Sequence, residues 1–150
     1  MTTHVNVKIK KLRPDAILPK YGTPFAAGAD LYACMDEPSL TIESGETVFV
    51  HTGLAVELPE GTVGLVYARS GLAMKRGIAP ANKVGVVDSD YRGEIMVAMH
   101  NHSKVAQTIE KGERVAQFVV APYYTADFEE VSTLEESDRG TGGFGSTGNK

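Results

Sequence analysis

A chain of 150 residues, 42% hydrophobic and 23% charged, has the length of one domain, and a domain of this size buries roughly 70% of its extended-chain surface without help from a metal or a disulfide. The net charge of −4 offers no long basic face for following a nucleic-acid backbone, which argues against a polymer partner and leaves room for a small phosphorylated ligand held by local Arg side chains and backbone N–H groups. Cys34 is the only cysteine, so no internal disulfide is expected and a reducing cytoplasm suits the chain; no apolar run reaches the roughly 18 residues of a membrane helix, and none near the start makes a signal-peptide core.

In chain order, Val5, Val7 and Ile9 alternate with Asn6, Lys8 and Lys10, and this period of two predicts a half-buried first strand. Pro14 and Pro19 break the chain, and after the turn at Tyr21-Gly22-Thr23-Pro24 comes Ala27-Gly-Ala-Asp-Leu-Tyr-Ala33, small and apolar with Asp30 as its only charge. An acid among apolar neighbours needs a partner. Cys34 beside it reads as a small core residue. Strand-like runs follow at 40–42, 47–51, 54–58 and 62–67, separated by Ser44-Gly45, Thr52-Gly53 and Pro59-Glu60-Gly61. Short strands with turn signals every eight to twelve residues or so predict a β-sandwich or barrel.

One helix is expected. Ser70 can cap it, Leu72 to Arg76 are good helix formers, and Gly77 stops it. Further strands are predicted at 94–100, 105–109 and 114–121, the last with Gln117 as a polar amide that must find a bond. After Pro122 the pattern changes. Residues 125–138 are acidic and weakly patterned, and 139–150 hold five glycines in twelve residues, so this tail reads as an arm with no core of its own. The expected division is a β-rich domain over 1–124 and a linker and Gly-rich arm over 125–150.

Between Gly85 and Met96 the chain reads Gly-Val-Val-Asp-Ser-Asp-Tyr-Arg-Gly-Glu-Ile-Met, crowding Asp88, Asp90, Tyr91 and Arg92 into five positions between apolar flanks. The pattern predicts a β-hairpin with reactive groups at its tip, although Asp, Ser and Gly are also ordinary turn residues of a solvated tip. A Ca²⁺ loop fails on position, since counting from Asp88 puts Arg92 fifth and Met99 twelfth. Ala68-Arg69-Ser70-Gly71-Leu72 sets a guanidinium, a hydroxyl and a Gly at a helix start, where free N–H groups attract anions and where a plain N-cap reads equally well. The tail Arg139-Gly-Thr-Gly-Gly-Phe-Gly-Ser-Thr-Gly148 contains G-x-G-x-x-G twice, but no βαβ unit surrounds it and no P-loop Lys follows. A Gly loop remains, with Arg139 suited to a phosphate and Phe144 to a flat ring. The four histidines show no metal-ligand spacing.

Taken together, five motifs in this order resemble the homotrimeric dUTPases: Ala27-Gly-Ala-Asp-Leu-Tyr-Ala33, Ala68-Arg-Ser-Gly-Leu-Ala73, Asn82 with Gly85 to Glu94, Gly112-Glu-Arg-Val-Ala-Gln117, and Arg139 to Gly148. Departures are mild: Lys83-Val84 separates Asn82 from Gly85, and Thr141 stands where Ala is common.

The resemblance implies an all-β, jelly-roll-like sandwich or barrel with one short helix and a flexible C-terminal arm, assembled as a homotrimer with shared active sites and no membrane or nucleic-acid partner. It implies hydrolysis of dUTP to dUMP and pyrophosphate, limiting uracil in DNA and supplying dUMP. Asp88 would activate the water that attacks the α-phosphorus. A carboxylate is a weak base at neutral pH, so positioning and charge stabilisation would supply most of the rate. By the same resemblance Ser70, Gly71 and Gln117 hold phosphate oxygens, Arg69 belongs to the substrate-binding set and bonds to Asp30, and the triphosphate brings a Mg²⁺ that Asp30 meets through water. Asn82 and the backbone of Gly85, Val86 and Val87 read the uracil edge, and Tyr91 packs against C2′. Arg139 binds the γ-phosphate while Phe144 stacks on the base; Met96, Gly145 and Ser146 complete the substrate-binding set. A dCTP-deaminase-like enzyme and a silent nucleotide-binding regulator are the alternatives.

Overall fold

A computed structural model describes residues 4–144 of the chain. Among the described residues there are twelve strands and one helix: β1 (Lys8–Lys11), β2 (Lys20–Tyr21), β3 (Ala29–Tyr32), β4 (Ser39–Ile42), β5 (Thr47–His51), β6 (Leu54–Glu57), β7 (Thr62–Tyr67), α1 (Ser70–Arg76), β8 (Ile78–Pro80), β9 (Val84–Val87), β10 (Met96–Asn101), β11 (Gln107–Glu110) and β12 (Arg114–Pro122). A five-stranded sheet runs β2-β3-β12-β7-β9 and a three-stranded one β5-β10-β8, with the pairs β1-β6 and β11-β4 beside them. Every pairing is antiparallel. This is the jelly-roll-like β architecture expected, with its single short helix.

The period of two does what it predicts. Val97, Met99 and Asn101 of β10 are buried while Met96, Ala98 and His100 face outward, and inward-facing Val50 of β5 lies opposite Val97. One core collects Leu31, Ile42, Val66, Ile78, Met99, Ile109 and Phe118 from seven strands of all the larger groupings. Each fully buried aliphatic side chain of this kind contributes roughly 1.5–3 kcal/mol over an exposed one. Cys34 is buried at 3% exposure with Ala16 and Leu54; burial pushes its thiol pKa up, consistent with a core residue.

Three local expectations need correction. The first strand begins at Lys8, leaving Val5 half exposed outside it, because pairing with β6 from Glu57 to Leu54 sets its length. Ser70 is the first helical residue rather than the cap; Arg69 occupies the cap position with extended backbone and makes no side-chain cap bond. The helix does end at Gly77, which takes φ +65° and returns its N–H to the Leu72 carbonyl.

The third correction concerns the hairpin predicted between Gly85 and Met96. Its flanks do not form a hairpin: β9 pairs with β7, whereas β10 pairs with β5 and β8 in a different sheet. Residues 88–95 are therefore a crossing between sheets. Apolar alternation looks the same whether two strands pair with each other or each joins its own sheet, and an eight-residue connection lacks the short primed turn that would decide for a hairpin.

Candidate active site

Register across the five-stranded sheet sorts the predicted residues onto two faces. Lys20, Asp30, Gln117, Tyr67 and Val84 form one row across its five strands, and directly opposed residues of a sheet share a face. The adjacent row, Tyr21, Ala29, Phe118, Val66 and Gly85, faces the other way; Ala29, Phe118 and Val66 are buried there, while Tyr21 at the edge is exposed.

Asp30 is only 7% exposed and finds the partners that its apolar setting demands. Arg69 donates from Nε to Oδ1 at 3.0 Å, and Arg114 from Nη1 to Oδ2 at 3.3 Å. Arg69 also reaches the Arg114 carbonyl at 3.3 Å. Arg114 was not anticipated. It reaches this face because the β3–β12 register shifts between Arg114 and Ala116; without that bulge, a residue three before Gln117 would point to the opposite side. The sequence carries no clear signal of it: β12 is a nearly unbroken apolar run, and the consecutive burial of Val115 and Ala116 appears only in the fold. Gln117 lies beside Asp30 and folds over Gly28, where a Cβ would come within 2.9 Å of its amide oxygen. Ser70 and Gly71 are exposed at the start of α1, next to Arg69. Two guanidiniums around one carboxylate, with an amide and a hydroxyl nearby, make a face suited to phosphate oxygens.

A second group gathers elsewhere. Asn82, Gly85, Val86, Val87, Asp88, Tyr91 and Met96 line one cavity of about 210 Å³, whose remaining wall comes from Phe49, Val66, Glu94 and Ile95. Asn82 is placed by a turn in which the Lys83 N–H bonds to the Pro80 carbonyl at 3.1 Å and Lys83 takes φ +65°. Asp88 is exposed at the mouth. The crossing loop braces itself: the Tyr91 N–H reaches the Asp88 carbonyl at 3.2 Å, Arg92 Nη1 the Ser89 carbonyl at 2.7 Å, and the Tyr91 hydroxyl the Glu94 carbonyl at 2.9 Å. Polar edges at one end and apolar walls along the side suit a flat heterocycle and its sugar. A larger cavity of about 520 Å³ between Arg13, Asp36 and Leu40 shares Phe49 and Glu94 with this one but contains none of the predicted residues.

The described part of the arm joins neither group. Arg139 bonds from Nε to the Gly142 carbonyl at 2.8 Å, Phe144 is fully exposed, and Tyr124, Phe128 and Leu134 also project into solvent. Gly145 and Ser146 lie outside the described residues. The Asp30 cluster and the Asp88 cavity thus share no residue, and within one chain Arg139 and Phe144 complete neither. No group of three or more His, Cys, Asp or Glu side chains among the described residues is placed to hold a metal, and no helix among them is long and apolar enough to cross a membrane.

The comparisons with known proteins agree with one another. The family model for dUTPase matches residues 14–148. A deoxyuridine 5'-triphosphate nucleotidohydrolase of Desulfitobacterium hafniense is 52% identical over 147 residues, covering 96% of this chain and 97% of that protein. Another, from Acinetobacter baylyi, is 44% identical over the whole of both. Among solved structures, a mutant dUTPase of Staphylococcus bacteriophage 80alpha with dUpNHpp superposes with a TM-score of 0.86 at 27% identity, covering 95% of this chain and 98% of that one.

Proposed function

This chain belongs to the dUTPase family, and on that premise we propose how its residues carry out the hydrolysis of dUTP to dUMP and pyrophosphate. Uracil and deoxyribose occupy the 210 Å³ cavity, with the Asn82 amide and the backbone of Gly85 to Val87 meeting the base edge. The wrong base leaves buried polar groups unpaired there, which can discriminate by roughly 10⁴ or more. Tyr91 closes the sugar side, and Met96 extends the apolar wall. Asp88, at the mouth, orients and deprotonates the water that attacks the α-phosphorus, and the pyrophosphate leaves in line.

The phosphates are received by Arg69, Ser70, Gly71 and Gln117. Arg139 takes the γ-phosphate and Phe144 covers the base, with Gly145 and Ser146 following, so that the arm excludes water as it closes. The observation that carries this reading is the division of one chain into three parts that share no residue: a phosphate face, a base-and-sugar cavity, and an arm whose described residues join neither. Three copies arranged as a ring bring one part of each kind together, so the unit is a homotrimer whose sites are shared.

Asp30 has both carboxylate oxygens engaged by arginines, and the described residues offer no metal cage. This donor set fits a Mg²⁺ carried mainly by the triphosphate and met by Asp30 only through water, since Mg²⁺ keeps several waters and prefers substrate phosphates to all-protein ligands. Such an ion would neutralise charge on the phosphates. A buried free thiol at Cys34 is consistent with a reducing cytoplasm.

The assignment of Asp88 is tested by Asp88→Asn. Turnover of dUTP, followed as pyrophosphate release, should fall by at least about 10² while nucleotide affinity stays near wild type. Near-normal turnover would remove Asp88 from this role. Running the same assay over a panel of deoxynucleotides, with ammonia release from dCTP as the control, separates hydrolysis from the deaminase alternative that the comparisons disfavour.

A further inference from the structure

Glu94 ends the crossing loop and holds it to a remote part of the chain. Its Oε1 accepts the Gly53 backbone N–H at 2.8 Å, and its Oε2 lies 2.8 Å from Nδ1 of His51. An ionised carboxylate only accepts, so His51 must carry its proton on Nδ1 here. The next residue repeats the attachment: the Ile95 carbonyl accepts the Thr52 hydroxyl at 2.6 Å, and the Ile95 N–H donates to the Leu54 carbonyl at 2.8 Å. Thr52 and Leu54 are fully buried and Ile95 nearly so, whereas the His51 side chain is 52% exposed and that of Glu94 22%. The turn 51–54 therefore grips residues 94–95 at four points, two of them through the Glu94 carboxylate.

What this grip controls is the tyrosine. The Tyr91 hydroxyl is bonded to the main-chain oxygen of Glu94, so the ring stands wherever that carbonyl stands. The Glu94 carbonyl shares its peptide plane with the Ile95 N–H, whose bond to Leu54 fixes the tilt of that plane; the Glu94 Cα and the 93–94 peptide leading back to Tyr91 would still be free to pivot. The carboxylate bonds to Gly53 and His51 remove that freedom, and charge-assisted bonds are the stronger kind.

We infer that Glu94, together with His51, is a positioning residue for sugar discrimination: it sets the place of the Tyr91 ring and hence the room left at C2′. This rests on the role of Tyr91 proposed above. Glu94 forms part of the cavity wall, but its carboxylate is turned to Gly53 and His51, so both residues act through the tyrosine.

The test compares kcat/KM for dUTP with that for UTP. Glu94→Ala should lower the ratio by at least about fivefold. Glu94→Gln should retain most of it, because its amide oxygen still accepts from Gly53 and its NH₂ can donate to the other tautomer of His51. Should Glu94→Ala not fold, exposed His51 gives the same information: His51→Asn, whose amide nitrogen falls near Nδ1, keeps the ratio, whereas His51→Gln and His51→Ala lower it by at least about threefold. Wild-type ratios in His51→Ala and His51→Gln, or an equal loss in His51→Asn, would overturn the inference. Tyr91→Ala is measured alongside. If it narrows the ratio while the Glu94 and His51 variants do not, Glu94 is refuted and the tyrosine's role stands; if Tyr91→Ala keeps the ratio, the role of the tyrosine fails and this inference with it.

Discussion

The ring of Tyr91 lies across the Cα of Gly93, so that a methyl group built there would sit 2.9 Å from Cε2 and closer still to Cζ and the hydroxyl oxygen. Gly93 is thus required by a close approach within its own loop. Gly93→Ala should force the ring away from the Glu94 carbonyl and cost roughly 1–3 kcal/mol, the range for overpacking a fitted site. Thermal unfolding read beside kcat/KM for dUTP checks this, with both expected to fall. A variant matching wild type in both would show that the ring has another place to rest.

Lys83 offers the opposite opportunity. It holds φ +65° between Asn82 and β9, a conformation costing a non-glycine residue roughly 1–2 kcal/mol, of which Gly would return part to the entropy of the unfolded chain. Lys83→Gly should therefore raise stability by about 0.5–1 kcal/mol in urea unfolding. The strain sits next to the residue assigned to the uracil edge, where stored backbone strain is commonly found. Loss of stability in the glycine variant would show that Lys83 makes up for its backbone through contacts of its side chain.

Much of this fold was legible in the residues. Short apolar runs between turn signals located most strands, and Ser70 to Gly77 declared a helix and its stop through composition alone. Pairing was not legible. Val84 to Val87 and Met96 to Met99 alternate as hairpin arms do, yet each joins a different sheet, and partner choice depends on contacts far along the chain. The site divides in the same way. Asp30 announced its need for a partner, and Arg69 was associated with it through the family resemblance. Arg114 came into reach only through a bulge, and Glu94 acquired its place only when the turn at 51–54 was brought against it.

Away from the site, Asp15 gives a pH signature. The Arg13 guanidinium, followed by the Lys111 ammonium at 2.7 Å, holds its carboxyl well below the usual carboxylate range. A carboxyl with a depressed folded-state pKa adds stability above its unfolded pKa of about 4 and loses it as pH falls through the folded value. Wild type should thus exceed Asp15→Asn in urea midpoint at about pH 7, and the gap should begin to close as pH drops below about 4. A gap that is constant with pH would mean that the asparagine differs by packing rather than by charge.

The central claim is that each active site is assembled from several chains, with the Asp88 cavity supplied by one and the arm by another. Two variants decide it: Asp88→Ala, and a chain ending at Asp138. Each alone should be almost inactive. Unfolded together and reassembled in equal amounts, with mixing verified by mass, a shared site draws its cavity and its arm independently, so about one site in four receives both intact. Pyrophosphate release from dUTP by the mixture should recover to roughly a quarter of wild type. No recovery in verified mixed trimers would contradict the shared site, because a site built within one chain always carries one lesion or the other.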